Sequence, residues 1–518
     1  MLMQSITGLV NLACAEGRTP IGIWVPAGGR AYDTEKEGIG TRLGSLSAKE
    51  LALGTFAKQN GINPTVKTLF DGYVLTDLVN NPESGNAAAV ASHVYNSIIV
   101  DVRDEDFFKR NGYTLKCDCS KMTLRQAFDQ FKDKCNNNAL VLMPAGCGEL
   151  RDYAITHRLF VMNINKQYGS TAQGQNWGLL EDVLEWLEPG SQVIGWEQGI
   201  PEIDFVRRIS SHGHLMLAAD WSYNLALTSR HYSDRQSAAL AKTINPRDID
   251  YDETADWCSF FLTDGDNYQF IITDNFEDNY YCLPSAARTK TAFELGSQSL
   301  IQLAPSRFDY LLEKQPSPEC TIMETFGGGY FYIDNFATAG KAAADRPARM
   351  KQIAERTAAH MRQHGIKVLH VMAKDLNSEA GKQMLQAFVD ANDQLEGITA
   401  VQYSPYVGGK GNVMWFTNKA GYDIPCITAK YMLWDGLSSP AQVSSAINAS
   451  SKAGTPGFNP IVIHAWSSFS GKQASDAAEL CAGGLNESCR LISMQEMIWR
   501  IRMYKNREQT RKYLSTIK

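Results

Sequence analysis

Two segments decide the fold prediction. One is Trp257-Cys258-Ser259-Phe260-Phe261-Leu262, which continues into Thr263-Asp264-Gly265-Asp266-Asn267. The other is Cys320-Thr321-Ile322-Met323-Glu324-Thr325, which leads after Phe326 into Gly327-Gly328-Gly329-Tyr330-Phe331-Tyr332-Ile333-Asp334. Each apolar run ends in Gly or Asp, a pattern typical of a buried strand that enters a loop. Buried parallel strands deliver functional groups at their C-terminal ends, so these loops predict a site for a polar, polyhydroxylated ligand.

Strand and helix patterns alternate along the rest of the chain, which predicts an α/β fold. We place a domain boundary at Glu188-Pro189-Gly190, giving an N-terminal α/β domain over residues 1–190. Eight or nine strand candidates over residues 191–518 predict a (β/α)8-like barrel, with a doubly wound open sheet as the alternative. These candidates are Val193–Trp196, His214–Ala219, Trp257–Leu262, Cys320–Thr325, Val368–Met372, Ile398–Gln402, Asn412–Phe416, Pro460–His464 and Cys489–Ser493.

Composition excludes several classes of protein. The net charge of −6 offers no basic footprint for nucleic acid, and no run of 18 apolar residues predicts a transmembrane span. The 11 cysteines contain no C-x-x-C pair, so we expect mostly buried free thiols and no metal site. The segment Met1–Ala15 is typical of a folded domain from which any signal segment has been removed.

Carboxylates that follow separate strands can act on one substrate atom from opposite sides, as glycoside hydrolysis requires. We predict Asp264 and Asp266 as catalytic or water-positioning groups, although Asp-Gly is also an ordinary turn signal. Glu324 is the candidate general acid because its apolar run would raise its pKa, and Glu197 is the reserve. The expected sugar-binding residues are Asn267, Asp220, Trp221, Gly327, Gly329, Tyr330, Tyr332, His464 and Trp466.

The glycine-rich segment does not fit a nucleotide site. The chain has neither the G-x-x-x-x-G-K-[ST] nor the G-x-G-x-x-G pattern, and tyrosines rather than a helix start follow Gly329. The G-x-S-x-G and H-E-x-x-H patterns are also absent, which disfavours the common serine hydrolases and zinc proteases. We therefore expect no organic cofactor.

The motif Gly327-x-Gly329-Tyr330-x-Tyr332-x-Asp334 resembles the signature of the GxGYxYxP family of bacterial glycoside hydrolases, found largely in Bacteroides-type bacteria. The segments Gln4–Asn11, Leu150–Tyr153, Thr263–Asn267 and Leu303–Pro305 also resemble that family. Asp334 departs from the signature, in which we expect proline at this position. The resemblance implies an N-terminal domain ahead of a barrel-like one and a secreted or periplasmic carbohydrate-processing protein.

The leading functional prediction is hydrolysis of glycosidic bonds in an oligo- or polysaccharide by carboxylate acid/base chemistry. Sequence spacing does not give the separation of the carboxyl groups, so retaining and inverting outcomes both stay open. One alternative is a metal-dependent carbohydrate deacetylase with Asp264, Asp266 and His464 as ligands. The other is a glycan-binding protein that has lost turnover, which the departure at Asp334 would favour.

Overall fold

The computed structural model describes residues 1–25, 29–40, 44–47, 64–145, 149–166, 175–229, 237–281, 287–404, 406–452, 454–469 and 472–517. The chain divides into two compact units. The first contains residues 1–236, 300–307 and 339–343, and the second contains residues 237–299, 308–338 and 344–518.

The first unit is built on three small sheets of parallel strands. The paired strands are β1–β2, β4–β3–β5 and β7–β6–β8–β9. The strands are β1 Ile21–Trp24, β2 Gly44–Ser47, β3 Gly72–Thr76, β4 Ser97–Asp101, β5 Leu115–Asp118, β6 Asn136–Leu142, β7 Leu159–Met162, β8 Gln192–Gly195 and β9 Leu215–Ala218. The helices are α1 Leu2–Ala15, α2 Arg30–Gly40, α3 Pro64–Lys67, α4 Ser84–Val94, α5 Glu105–Arg110, α6 Leu124–Phe131, α7 Arg151–Thr156, α8 Trp177–Trp186, α9 Glu202–Ser211 and α10 Leu225–Thr228.

The predicted boundary at residue 190 lies inside this first unit. Strand β8 begins two residues later and pairs with β6, from Ala139 opposite Gln192 to Leu142 opposite Gly195. Strand β9 then adds to β8. The Glu188-Pro189-Gly190 segment is therefore a turn between a helix and a strand of one sheet, and the two strands predicted for a barrel at 193–196 and 214–219 belong to the first unit.

The second unit is built on a curled, mostly parallel sheet of ten strands. Its order is β15–β16–β14–β13–β12–β11–β10–β18–β17, with β21 also paired to β10, and only β15 runs antiparallel to its neighbour. The ten strands are β10 Asp256–Leu262, β11 Ala292–Leu295, β12 Ile322–Thr325, β13 Val368–Ala373, β14 Gly397–Gln402, β15 Val413–Thr417, β16 Asp423–Thr428, β17 Tyr431–Leu433, β18 Gly457–Ile463 and β21 Cys489–Leu491. Two further strands, β19 Ser468–Phe469 and β20 Lys472–Gln473, pair with each other antiparallel in a separate sheet.

Side-chain caps fix the start of several helices that follow these strands. Ser439 accepts a hydrogen bond from the amide of Gln442 and Gln442 bonds back, while Pro440 occupies the first turn. The hydroxyl oxygens of Ser378 and Ser493 cap their helices by accepting the amides of Gly381 and Glu496. The remaining helices are α11 Tyr268–Ile271, α12 Asp274–Phe276, α13 Ser297–Leu303, α14 Pro305–Lys314, α15 Gly340–Ala344, α16 Arg346–Gln363, α17 Glu379–Ala391, α18 Pro440–Ser450, α19 Ala477–Ala482, α20 Met494–Lys505 and α21 Arg507–Thr516.

Most predicted elements are confirmed to within a few residues, and the α/β class is confirmed. The eight-stranded barrel stays a prediction, whereas the curled parallel sheet is observed. The sequence pattern also predicts a helix over residues 48–60, which lie outside the described residues. Sequence reasoning missed strand β11, a short run of three apolar residues and Glu294 that ends at Gly296. Among the described residues, nine cysteines are free thiols and seven of these are buried, as expected, and none of the helices is long and apolar enough to cross a membrane.

Candidate functional site

Acidic side chains gather at the C-terminal ends of β10 and β11 in the second unit. Asp264 and Asp266 follow β10, and Glu294 lies within β11. A Cβ atom on Gly265 would overlap the carbonyl oxygen of Glu294, and the amide of Gly296 donates to the Gly265 carbonyl at 2.7 Å. Glycine is therefore required between the two aspartates because the loop touches the backbone of β11. This close approach brings three carboxyl groups into one cluster, which we call the acidic cluster (Asp264, Asp266 and Glu294).

Asp264 is held by hydrogen-bond donors. The indole N–H of Trp466 donates to its Oδ1 at 2.8 Å, the Asn267 amide lies 3.4 Å from the same oxygen, and the Thr263 hydroxyl donates to Oδ2. The backbone of Asp264 has φ +66°, a left-handed conformation that costs a non-glycine residue roughly 1–2 kcal/mol. Both observations fit a carboxylate held in a fixed position rather than a turn residue that faces water.

Glu294 is 2% exposed and was missed by sequence reasoning. Burial, followed by the charges of Asp266 and Asp264, raises its pKa well above the ordinary value. Its Oε1 lies 3.1 Å from Nε2 of His370, whose Nδ1 contacts the Thr399 hydroxyl at 2.8 Å. Burial lowers the pKa of His370 to about 3. Both pKa shifts favour the uncharged forms of Glu294 and His370.

Glu324 does not join this cluster. It pairs in register with Leu295, while Glu294 pairs with Met323, so the two glutamates point to opposite faces of the sheet. The hydroxyl of Ser297 donates to Glu324 and lies 2.6 Å from Nε2 of His360 on α16. Burial raises the pKa of Glu324 to about 8, as the apolar run predicted. The carboxyl is fully buried, apart from the acidic cluster, and its role as the general acid stays a prediction.

Three further predicted residues belong to the first unit, whereas the acidic cluster is in the second. Glu197 accepts backbone amides from Ile164 at 2.6 Å and Gln198 at 3.0 Å, and burial raises its pKa to about 7. Asp220 contacts Gln198 at 3.5 Å, and Trp221 is exposed. Glu197 therefore ties the end of β7 to the end of β8, a structural role that its residue type alone did not reveal.

The glycine loop after β12 lies against helix α16. Gly327 has φ +81°, and a Cβ there would overlap the Thr357 hydroxyl. The sequence predicts that Tyr330 and Tyr332 bind sugar. Instead they are buried, with their hydroxyls 3.0 Å apart, and their ring faces are not accessible to a ligand. Asp334 accepts the amides of residues 374 and 375 at 2.9 and 2.8 Å. The residue that departs from the expected signature thus anchors the loop to the end of β13.

Aromatic rings follow one another along the strand ends between β12 and β18. We call this set the aromatic belt; its members are Tyr330, Tyr332, Tyr403, Tyr406, Trp434 and His464. Trp434 stacks on His464 with ring centroids 4.0 Å apart and planes at 9°. His464 Nδ1 contacts the Ser467 hydroxyl at 3.0 Å, and Trp466, two residues further, is 49% exposed. Burial lowers the pKa of His464, and the charge of Asp264 opposes that shift, which indicates that the belt ends beside the acidic cluster.

Metal-ligating side chains do not form a cluster of three anywhere in the described part of the chain. The predicted sugar-binding residues of the second unit form two groups. Asn267, His464 and Trp466 lie with Asp264 and Asp266, whereas Gly327, Gly329, Tyr330 and Tyr332 are buried.

Two family models match the chain. Residues 138–230 match the family model described as "GxGYxYP third domain", and residues 257–475 match that described as "GxGYxYP putative glycoside hydrolase C-terminal domain". In that family name proline directly follows the second tyrosine, a position that corresponds to Ile333 rather than Asp334. None of the functionally curated proteins matches the chain in sequence.

The fold is similar to a crystal structure described as that of "a putative hydrolase from Bacteroides thetaiotaomicron VPI-5482". The TM-score is 0.75 at 18% sequence identity, and the alignment covers 97% of this chain and 93% of the other. At that identity the likeness establishes the shared fold.

Proposed function

Because the chain belongs to the GxGYxYP family, we propose that it hydrolyses glycosidic bonds of an oligo- or polysaccharide, with Asp264 and Asp266 as the reacting carboxyl groups. The acidic cluster at the ends of β10 and β11 is the observation that carries this proposal. Glycoside hydrolysis needs one carboxyl group that protonates the leaving oxygen and a second that activates water or attacks carbon. Two partly exposed aspartates on one short loop, with the buried Glu294 beside them, supply such groups.

Asp264 fits the role of the base or nucleophile. Its two oxygens already accept hydrogen bonds from Trp466, Asn267 and Thr263, which stabilise a carboxylate rather than a proton donor. Asp266, the other aspartate of this loop, is then the candidate acid. Because Glu294 is buried, it acts through the aspartates and does not touch the substrate.

The partly exposed rings beside the acidic cluster are the proposed sugar-binding surface. Trp466 and Trp434 offer ring faces, and His464 and Asn267 offer polar atoms. A sugar presents an apolar C–H face and a rim of hydroxyl groups, which matches this mixture of rings and polar atoms. Secretion to the periplasm or cell exterior stays a prediction.

We further infer that the curled sheet is a barrel of seven parallel strands. Strands β16 and β17 are separated only by Ala429 and Lys430, whose amides donate to Ala400 of β14 at 3.1 Å and to Pro460 of β18 at 2.9 Å. Strands β18, β10, β11, β12, β13 and β14 are neighbours in that order. The segment 423–433 thus hydrogen-bonds to β14 at one end of this series and to β18 at the other. In a closed barrel the acidic cluster would lie at the C-terminal face, where the active sites of parallel barrels are found.

The test is the release of reducing sugar from a panel of polysaccharides by the 518-residue chain. Asp264→Asn and Asp266→Asn should each lower the rate at least ~10²-fold, because a positioned acid or base contributes that much. Asp393→Asn is the matched control, since this aspartate is 81% exposed and outside the cluster. Equal activity of all three variants would refute the assignment. Binding of a polymer without its cleavage would favour a glycan-binding protein instead.

A further inference from the structure

A separate cavity of about 360 Å³ opens at the N-terminal ends of β10 and β18. The loop before β10, the first residues of both strands and the helices α20 and α21 line it. Its volume lies within the range of small-molecule sites, which is ~300–1,000 Å³. We propose that this cavity is a second, non-catalytic binding site for a neutral saccharide.

The floor of the cavity is a buried arginine stacked on a tryptophan. The Arg500 guanidinium carbon lies 3.6 Å from the ring centroid of Trp257, and Arg500 is 7% exposed. Its Nε donates to Glu496 at 2.8 Å and its Nη1 donates to the carbonyl of Asp250 at 2.8 Å, while Nη2 lies 3.7 Å from Glu253. The floor is therefore rigid, and the weakly paired edge of the guanidinium is available to a ligand oxygen.

The walls combine exposed rings with a paired donor and acceptor. Tyr504 is 65% exposed, and its ring centroid lies 5.8 Å from that of Phe458. Arg507 Nη2 lies 2.9 Å from Asp252 Oδ1 at the rim. An exposed tyrosine leaves a large apolar face in contact with water, and a ligand that stacked on it would bury that face.

The charge balance selects the class of ligand. Two acidic and two basic side chains line the cavity, so their formal charges cancel and neither an anion nor a cation is favoured. Carboxylates accept hydrogen bonds and guanidinium groups donate them, whereas a sugar hydroxyl can do both. A neutral sugar ring therefore satisfies the rim and stacks on Tyr504 without the desolvation cost of an unpaired charge.

The cavity and the acidic cluster lie at opposite ends of one strand. Trp257 and Asp264 are seven positions apart along β10 and its loop, which corresponds to ~23 Å in extended chain. A saccharide in the cavity cannot contact Asp264, so binding there does not depend on whether the acidic cluster is catalytic. Failure of either proposal can thus be told apart from failure of the other.

The experiment is affinity electrophoresis of the full chain through native gels that contain galactomannan, arabinoxylan or xyloglucan, with polygalacturonate as the acidic comparison. The Asp264→Asn background prevents turnover. We expect at least one neutral polymer to retard the protein, and Tyr504→Ala and Arg507→Ala each to weaken that binding about tenfold, since an aromatic contact or a charged hydrogen bond contributes that much. Tyr223→Ala, a half-exposed tyrosine of the first unit, is the matched control and should bind as before.

Each other outcome overturns the proposal. Retardation by polygalacturonate alone would contradict the neutral class of ligand, and no retardation by any of the polymers would contradict the site. Equal binding by the Tyr504→Ala variant would place the ligand elsewhere on the protein. Binding that is lost in Asp266→Asn but kept in Tyr504→Ala would refute this site and support the acidic cluster.

Discussion

Replacing Glu324 by glutamine should make the second unit less sensitive to alkaline pH. Burial raises the folded-state pKa of this carboxyl from 4.5 to about 8. One pKa unit corresponds to about 1.4 kcal/mol, so the shift corresponds to roughly 5 kcal/mol for a group without solvent screening. The folded state holds a proton that the unfolded chain releases. Its stabilising contribution is therefore complete below pH 4.5 and is lost as the pH rises through 8.

The assay compares the unfolding free energies of the wild type and Glu324→Gln in guanidinium at pH 5 and pH 8.5, followed by tryptophan fluorescence. Glutamine has the shape of the protonated acid but does not titrate, so the difference between the two proteins isolates this group. From pH 5 to pH 8.5 the free energy of unfolding of the variant should rise by several kcal/mol relative to that of the wild type. Glu313 is exposed, so Glu313→Gln should show no such change relative to the wild type. A gain below about 1 kcal/mol would refute the claim that Glu324 is a neutral, sealed acid.

Three further predictions concern the loops around the acidic cluster. Gly265→Ala should destabilise the protein by ~1–3 kcal/mol, measured as a lower thermal midpoint, because the new methyl overlaps the carbonyl of Glu294; an unchanged midpoint would show that the loop can move away. Trp466→Phe should keep the ring but lower kcat/KM at least ~10-fold, since Asp264 loses an N–H donor; unaltered kinetics would remove that bond from the account. Asp334→Ala should cost ~1–3 kcal/mol in denaturant unfolding, because two backbone amides lose their acceptor, and an Asp334→Asn variant that keeps an acceptor oxygen should cost less.

The sequence predicts the α/β class and the positions of most strands because apolar runs that end in Gly or Asp are strong local signals. The position of Asp264 and Asp266 at a strand end is predicted for the same reason, because a loop directly after a buried strand lies at the C-terminal edge of the sheet. Register is the part that local signals do not contain. Both Glu294 and Glu324 lie in short buried strands without alternation, and only the pairing of Glu294 with Met323 determines which glutamate faces the aspartates.

The boundary between the units was misplaced for a related reason. A Glu-Pro-Gly segment interrupts a chain equally well between two domains and between a helix and a strand of one sheet. Pairing of β8 with β6 decides between them, and that contact joins residues about 50 positions apart. That boundary predicts Glu197 to lie in the barrel. In the structure Glu197 accepts the backbone amides of Ile164 and Asn165 in the first unit.

The most direct test of the central claim is a crystal structure of the Asp264→Asn variant soaked with an oligosaccharide of a polymer that the wild type cleaves. The account predicts a sugar ring against Trp466, with its glycosidic oxygen within ~2.6–3.2 Å of the side chain at position 264 or of Asp266. A sugar ring against Trp466 whose glycosidic oxygen lies beyond the reach of both positions, or no sugar at all beside the acidic cluster, would contradict it.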